Sequence, residues 1–225
     1  MKKVEIRYAT DKYSKELADI VPKGPVITIS REFGCPANDC AAILKKLIEQ
    51  NFENSKWQIL NRYNLNLNQA TGTIEKRDDE VPTENLKFED ITDGFTASKY
   101  ILKKENSQQL TRLIREQSQK GNIIVVGRGG VAITRDIVKS LHIRLFAPME
   151  WRAARLCQKY KIKLPTAQKY AEEFDAMRKK MITDFRGSAC DLSLFDVAYN
   201  CMKYSEEQIA ESIFLLAFSS KLFEE

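Results

Sequence analysis

Arginines that follow apolar runs are the groups in this sequence best suited to chemistry. Arg31 follows "VITIS" and opens the stretch "REFGCPANDC", residues 31–40. An apolar strand, a turn and a helix start in that order bring backbone N–H groups and a helix N-terminus to face an anion. The glycine-rich lysine loop that usually does this is absent, for Gly34 is the only glycine between Pro25 and Thr71. Pro36 contributes no N–H. The donors left are the amides of Gly34, Ala37, Asn38 and Asp39, with Arg31 as the nearby charge. A plain strand–helix junction is the alternative.

Further arginines repeat the theme. "VVGRGG", residues 125–130, places Arg128 where ligands bind in open α/β sheets, with glycines that allow close backbone approach. A tight turn with Arg128 paired to an acid is the alternative here. In "EWRAARLCQKY", Arg152, Arg155 and Lys159 fall on one helical stripe, opposite Ala153, Leu156, Cys157 and Tyr160. In "TAQKYAEEFDAMRKKM", Asp175 and Arg178 stand one turn apart, close enough to pair. These two helical stretches flank a short "KIKLPT" hinge and suit a lid closing on phosphates. Phosphoryl transfer asks the protein mainly to position groups and neutralise charge, which arginines and magnesium supply without a histidine base. Ordinary solvated helix faces are the bland alternative.

Composition narrows the field. His142 is the only histidine, so histidine-pair and His-rich metal chemistry is excluded by counting. The five cysteines, Cys35, Cys40, Cys157, Cys190 and Cys201, are scattered and argue against a zinc or disulfide framework. No apolar run reaches the ~18 residues that span a bilayer, and "MKKVEIRYATDKYSKEL" has no signal-type apolar core. A cytoplasmic location, with no membrane partner, is the expectation. Between Arg144 and Arg186 eleven Lys/Arg face five Asp/Glu, so the excess positive charge of the chain is local and implies an anionic partner. Nucleic acid ranks last among such partners, since the patch lacks interleaved aromatics.

The elements that would hold these groups are legible. Val26–Ser30, Ile123–Val126 and Leu141–Ala147 are short apolar, mostly branched runs, with Trp57–Leu60 and Val197–Tyr199 weaker ones. Runs of that kind, alternating with helices, predict a parallel sheet covered on both faces. One helix ends at Gly121, and another opens with a Ser205/Gln208 capping box. Residues 61–104 read either as a mostly helical substrate flap or as a surface loop with short helices.

The segments "ITISREFG", "GNIIVVGRGG", "LHIRLFAPMEWRAARL", "FDAMRKKM" and "DLSLFDVAYNCMKYSEEQIAE" together resemble the cytidylate kinase-like family, over roughly residues 26–217. The resemblance implies a single domain over 1–225 with a P-loop NTPase-type parallel sheet flanked by helices. An extension at 1–24, a flap at 61–104 and a helical lid at 150–187 would accompany it. It implies a kinase, a nucleotide-binding transferase using ATP and Mg2+ on a (deoxy)cytidylate-like acceptor. Arg128, Asp175 and Asn61 would contact the acceptor, Asn61 standing where relatives usually have aspartate. Arg152, Arg155 and Arg178 would be the catalytic lid arginines. Arg31, Gly34, Ala37, Asn38 and Asp39 would hold ATP. Relatives usually follow "SREFG" with a Ser-Gly-Gly-Arg type of run, whereas this chain has Cys35-Pro36-Ala37-Asn38. The resemblance therefore also allows a catalytically weak or inactive relative that acts as a nucleotide sensor or partner-binding module.

Overall fold

Apolar residues alternate faces along the central strand and thereby recruit helices to both sides of one sheet. The computed structural model describes residues 25–53, 55–62, 65–67, 74–76 and 104–224. The expected extension at 1–24 lies outside the described residues, as does most of the expected flap. The strands are β1 (Val26–Arg31), β2 (Gln58–Leu60), β3 (Leu65–Leu67), β4 (Ile74–Lys76), β5 (Ile123–Val126), β6 (Ser140–Phe146) and β7 (Val197–Asn200). Five of them form one sheet in the order β2-β5-β1-β6-β7. Every pairing in it is parallel, with Val26 beside both Ile123 and Ser140. The three strong apolar runs thus lie side by side, as their branched composition predicts.

Helices fill the crossovers: α1 (Ala37–Asn51), α2 (Lys104–Lys120), α3 (Gly130–Ile133), α4 (Met149–Tyr160), α5 (Leu164–Arg186) and α6 (Glu206–Ser219). On one face Ile27, Ile29, Ile124, Val126, Ile143 and Leu145 pack against Leu44 and Ile48 of α1 and Ile209 and Ile213 of α6. On the other, Val26, Ile123 and Val125 meet Leu110 and Ile114 of α2, Ile133 of α3 and Met181 of α5. Each such isoleucine or leucine contributes about 1.5–3 kcal/mol by leaving water. The expected capping box is present, with Ser205 and Gln208 bonding reciprocally. Gly121 and Asn122 both take left-handed φ, 73° and 53°, ending α2 and turning the chain into β5.

Residues 61–104 differ from both expectations in one respect. β3 and β4 pair antiparallel, Leu65 opposite Lys76 and Leu67 opposite Ile74, as a separate two-stranded ribbon. Strands of three residues carry too little periodicity to be told from loop.

The single histidine is structural. His142 on β6 is buried; its Nδ1 lies 2.8 Å from Thr28 Oγ1 and its Nε2 3.1 Å from Ser140 Oγ. Its backbone N–H donates to Asp196 Oδ2 at 2.7 Å, and the Asp196 N–H donates back to its carbonyl at 2.8 Å. Burial lowers the imidazole to about 4, against the opposing pull of Asp196. Between pH 6.5 and 4 the unfolded chain therefore binds more protons than the folded one. Stability should be complete above pH 6.5 and fall by roughly 3 kcal/mol as pH drops to 4. Denaturant midpoints across that range measure the fall, and His142→Gln should flatten the slope.

Candidate functional site

The loop between β1 and α1 is held open by buried partners from α4 and α5. The Phe33 N–H donates to Asp175 Oδ1 at 2.7 Å, and the Phe33 carbonyl accepts from Arg152 Nη1 at 3.0 Å. The Phe33 ring stacks on Phe174, centroids 4.3 Å apart. Gly34 turns the chain at φ 98°, and a Cβ there would lie 2.9 Å from Arg152 Cβ and 3.1 Å from its carbonyl oxygen. Both the turn and this close approach require glycine. The Cys35 amide donates to the Glu32 carbonyl at 3.2 Å and the Ala37 amide to the Cys35 carbonyl at 3.0 Å. Among the described residues, the amides of Gly34, Asn38 and Asp39 have no acceptor. All three residues line an open cleft enclosing about 690 Å³, including its mouth. They are the donors a phosphate would meet.

Cations surround that cleft. Arg31, Arg62, Arg155, Lys159 and Arg178 line it, against the carboxylates of Glu32 and Asp39. Arg155 Nη2 reaches Glu206 at 3.0 Å and Asp39 at 3.7 Å, its guanidinium 5.8 Å from the centre of the Trp151 ring. Arg178 lies over the Phe33 and Phe174 rings, 3.6 Å from Asp175. Burial lowers Arg178 to about 10, with Asp175 opposing the shift.

A second pocket adjoins the first, lined by Arg31, Arg62, Arg128 and Arg178 with Val126, Phe174, Met177 and Met181. Among the described residues its lining holds four arginines and no acid. Arg128 sits at φ 56° between Gly127 and Gly129, and its Nη2 donates to the carbonyls of Arg62 and Leu65 at 3.2 and 3.3 Å. Its Nε is buried and has no partner among the described residues. Burial, helped by the Arg62 charge, lowers Arg128 to about 10, so it remains protonated at neutral pH. The guanidinium of Arg31 lies so close over Gly127 that a Cβ there would collide with it. A charge held among like charges is stabilised by an incoming anion.

The sequence profile of the cytidylate kinase-like family matches residues 26–200, which span both pockets. The chain belongs to the cytidylate kinase-like family. A search of curated proteins found no match. Among solved structures, an uncharacterized protein from Eubacterium ventriosum superposes with a TM-score of 0.55 at 16% identity, covering 88% of this chain and 99% of that one. A shikimate kinase from Acinetobacter baumannii in complex with shikimate gives 0.46 at 13% identity, covering 91% and 99%. The five-stranded, all-parallel sheet with flanking helices is the architecture that the family resemblance implies.

The site residues expected of such a family member separate into two groups. Arg31, Gly34, Ala37, Asn38, Asp39, Arg155 and Arg178 line the loop cleft, and Arg128 lines the arginine pocket. Ala37, expected as a donor, has its amide engaged by Cys35. Arg152 is not at the cleft surface. It is buried behind the loop, bonding the Ala147 carbonyl at 2.9 Å and Asp175 Oδ2 at 2.7 Å, with Glu32 at 3.4 Å. A basic residue spaced onto a polar stripe has thus turned inward because two carbonyls and two carboxylates await it. Asp175 joins Phe33, Arg152 and Arg178, so it is a brace for the loop rather than an open acceptor contact. Asn61 lines neither pocket, whereas its neighbour Arg62 lines both. Arg62 was missed from the sequence. The signal was available, since it follows the end of β2 at the same sheet edge where Arg128 follows β5.

Magnesium prefers oxygen ligands and keeps several waters beside one or two carboxylates and phosphate oxygens. No cluster of three acidic, cysteine or histidine side chains occurs among the described residues, so an all-protein cage is not built. The first turn of α1 does carry the Asp39 carboxylate and the Asn38 Oδ1, which is buried without a partner. Those oxygens fit a magnesium ion that arrives with a nucleotide. No helix among the described residues is long and apolar enough to cross a membrane.

Proposed function

We propose that this chain transfers the γ-phosphoryl group of ATP to a nucleoside monophosphate, with a (deoxy)cytidylate-like acceptor. The observation that carries this reading is the wall of Arg31, Arg62 and Arg178, shared by the loop cleft and the arginine pocket. A shared cationic wall between two anion sites suits a group that passes from one anion to the other.

In this reading the Gly34, Asn38 and Asp39 amides hold the donor phosphates, and Arg128 holds the acceptor phosphate. Arg31, Arg62 and Arg178 neutralise the charge that develops between them. Arg155, on α4, turns from Asp39 and Glu206 toward the donor phosphates when the lid closes, joined by Lys159 of the same helix. Arg152 and Asp175 act as positioning residues that hold the loop in shape. Asp39 and Asn38 would hold magnesium, which would supply positive charge to offset that of the phosphates.

Coupled assay of phosphoryl transfer from Mg-ATP against a panel of nucleoside monophosphates tests this. Turnover with a cytidine or deoxycytidine monophosphate is expected. ATP binding without transfer to any member of the panel would overturn it in favour of a nucleotide sensor. A specific observation favours that second reading: the loop has no lysine, Pro36 has no N–H, and the Ala37 amide is already engaged.

A further inference from the structure

Arg31 lines both pockets, although it starts on one side of the sheet. Along β1 the side chains of Ile27 and Ile29 belong to the cluster that packs on α1 and α6, and alternation starts the Arg31 side chain on that same face. Arg31 nevertheless lines the arginine pocket beside Met177 and Met181 of α5, and Met181 belongs to the cluster on the opposite face. The crossing runs over Gly127, the first residue after β5, whose N–H donates to the Ile29 carbonyl at 3.0 Å. A Cβ on Gly127 would overlap Arg31 Nη1 and stand 3.0 Å from its Cζ.

We propose that Gly127 is a positioning residue, its missing side chain leaving the seat that holds the Arg31 guanidinium between two phosphate sites. The inference rests on reading the loop cleft and the arginine pocket as phosphate sites, and adds how one charge is held between them. Gly127 itself touches no ligand.

Two properties of glycine meet at this position. Its φ of 73° is left-handed, and its bare Cα is the surface on which the guanidinium lies. Asparagine tolerates that φ but carries a Cβ, so it keeps the first property and loses the second. Gly129, on the other side of Arg128, gives the contrast. Its φ is 70°, and a Cβ there would overlap the Phe185 ring of α5. One glycine therefore makes room for a charge and the other for a packed ring. Arg62, Arg128 and Arg178 line the pocket with Arg31, so like charge drives its guanidinium outward once the seat is filled.

The test titrates the full chain calorimetrically with tripolyphosphate, a run of linked phosphates with no base or sugar to add contacts. Arg31→Ala should bind it roughly tenfold or more weakly, the loss of a charged hydrogen bond to phosphate. Gly127→Ala and Gly127→Asn should show the same loss, the asparagine with the smaller drop in melting temperature. Adding Arg31→Ala to either should weaken binding no further, because seat and occupant act as one. Gly129→Ala should also melt lower, yet in its background Arg31→Ala should still cost its full factor. A Gly127→Asn chain that binds tripolyphosphate like the parent, or a loss that adds to that of Arg31→Ala, would overturn the seat. A parent that binds no tripolyphosphate would overturn the seat and the phosphate sites together. The expected pattern in a chain that transfers no phosphoryl group would support the seat and count against the transfer reading alone.

Discussion

Asp175→Ala should destabilise the chain by about 1–3 kcal/mol, since Arg152 loses its nearest carboxylate and a part-buried amide its acceptor. Asp175 holds Arg152 at 2.7 Å and the Phe33 N–H at 2.7 Å, while Arg152 binds the Phe33 and Ala147 carbonyls. Alanine would leave the guanidinium with Glu32, at 3.4 Å, as its nearest carboxylate and a part-buried amide unpaired. Asp175→Asn keeps an acceptor for Phe33 and loses only the charge, so its loss should be smaller. Urea unfolding of both variants checks the order. The same pair should govern ligand binding, since it shapes the loop whose Gly34 lines the cleft.

Arg178→Ala should weaken ATP binding by about ten- to a hundredfold, because a charged hydrogen bond to phosphate is worth ~1.5–3 kcal/mol. Its effect on stability should be much smaller. The side chain loses its place over Phe33 and Phe174, worth ~1 kcal/mol, and relieves repulsion from Arg62 and Arg144. Arg178→Lys should restore the charge but not the planar fork, giving intermediate affinity. Calorimetric titration with ATP, beside a thermal melt, separates the two effects. A variant that melts normally yet binds ATP as tightly as the parent would remove Arg178 from the site.

The sheet was legible because β1, β5 and β6 are short runs dominated by branched apolar residues, the kind that a doubly covered parallel sheet buries. The loop was legible as a strand–turn–helix junction, and the turn does place amides at a cleft. The partners of those amides were not legible. Helical spacing sorts residues into stripes, but it does not say which stripe meets a second element. Arg152 shares a stripe with Arg155, yet tertiary acceptors at Phe33, Ala147 and Asp175 drew it inward. Arg62 escaped notice because β2 is only three residues long and marks only faintly the sheet edge that Arg62 shares with Arg128.

A bisubstrate compound, adenosine joined to cytidine through a polyphosphate bridge, tests the shared wall most directly. It would occupy the loop cleft and the arginine pocket at once. Titration calorimetry should show one molecule bound per chain, roughly tenfold or more tighter than ATP alone, because the second half binds from within the same molecule. Arg128→Ala should bring its affinity down to that of ATP. A bridged compound that binds no more tightly than ATP, or is indifferent to Arg128, would contradict the account of two anion sites with one cationic wall between them.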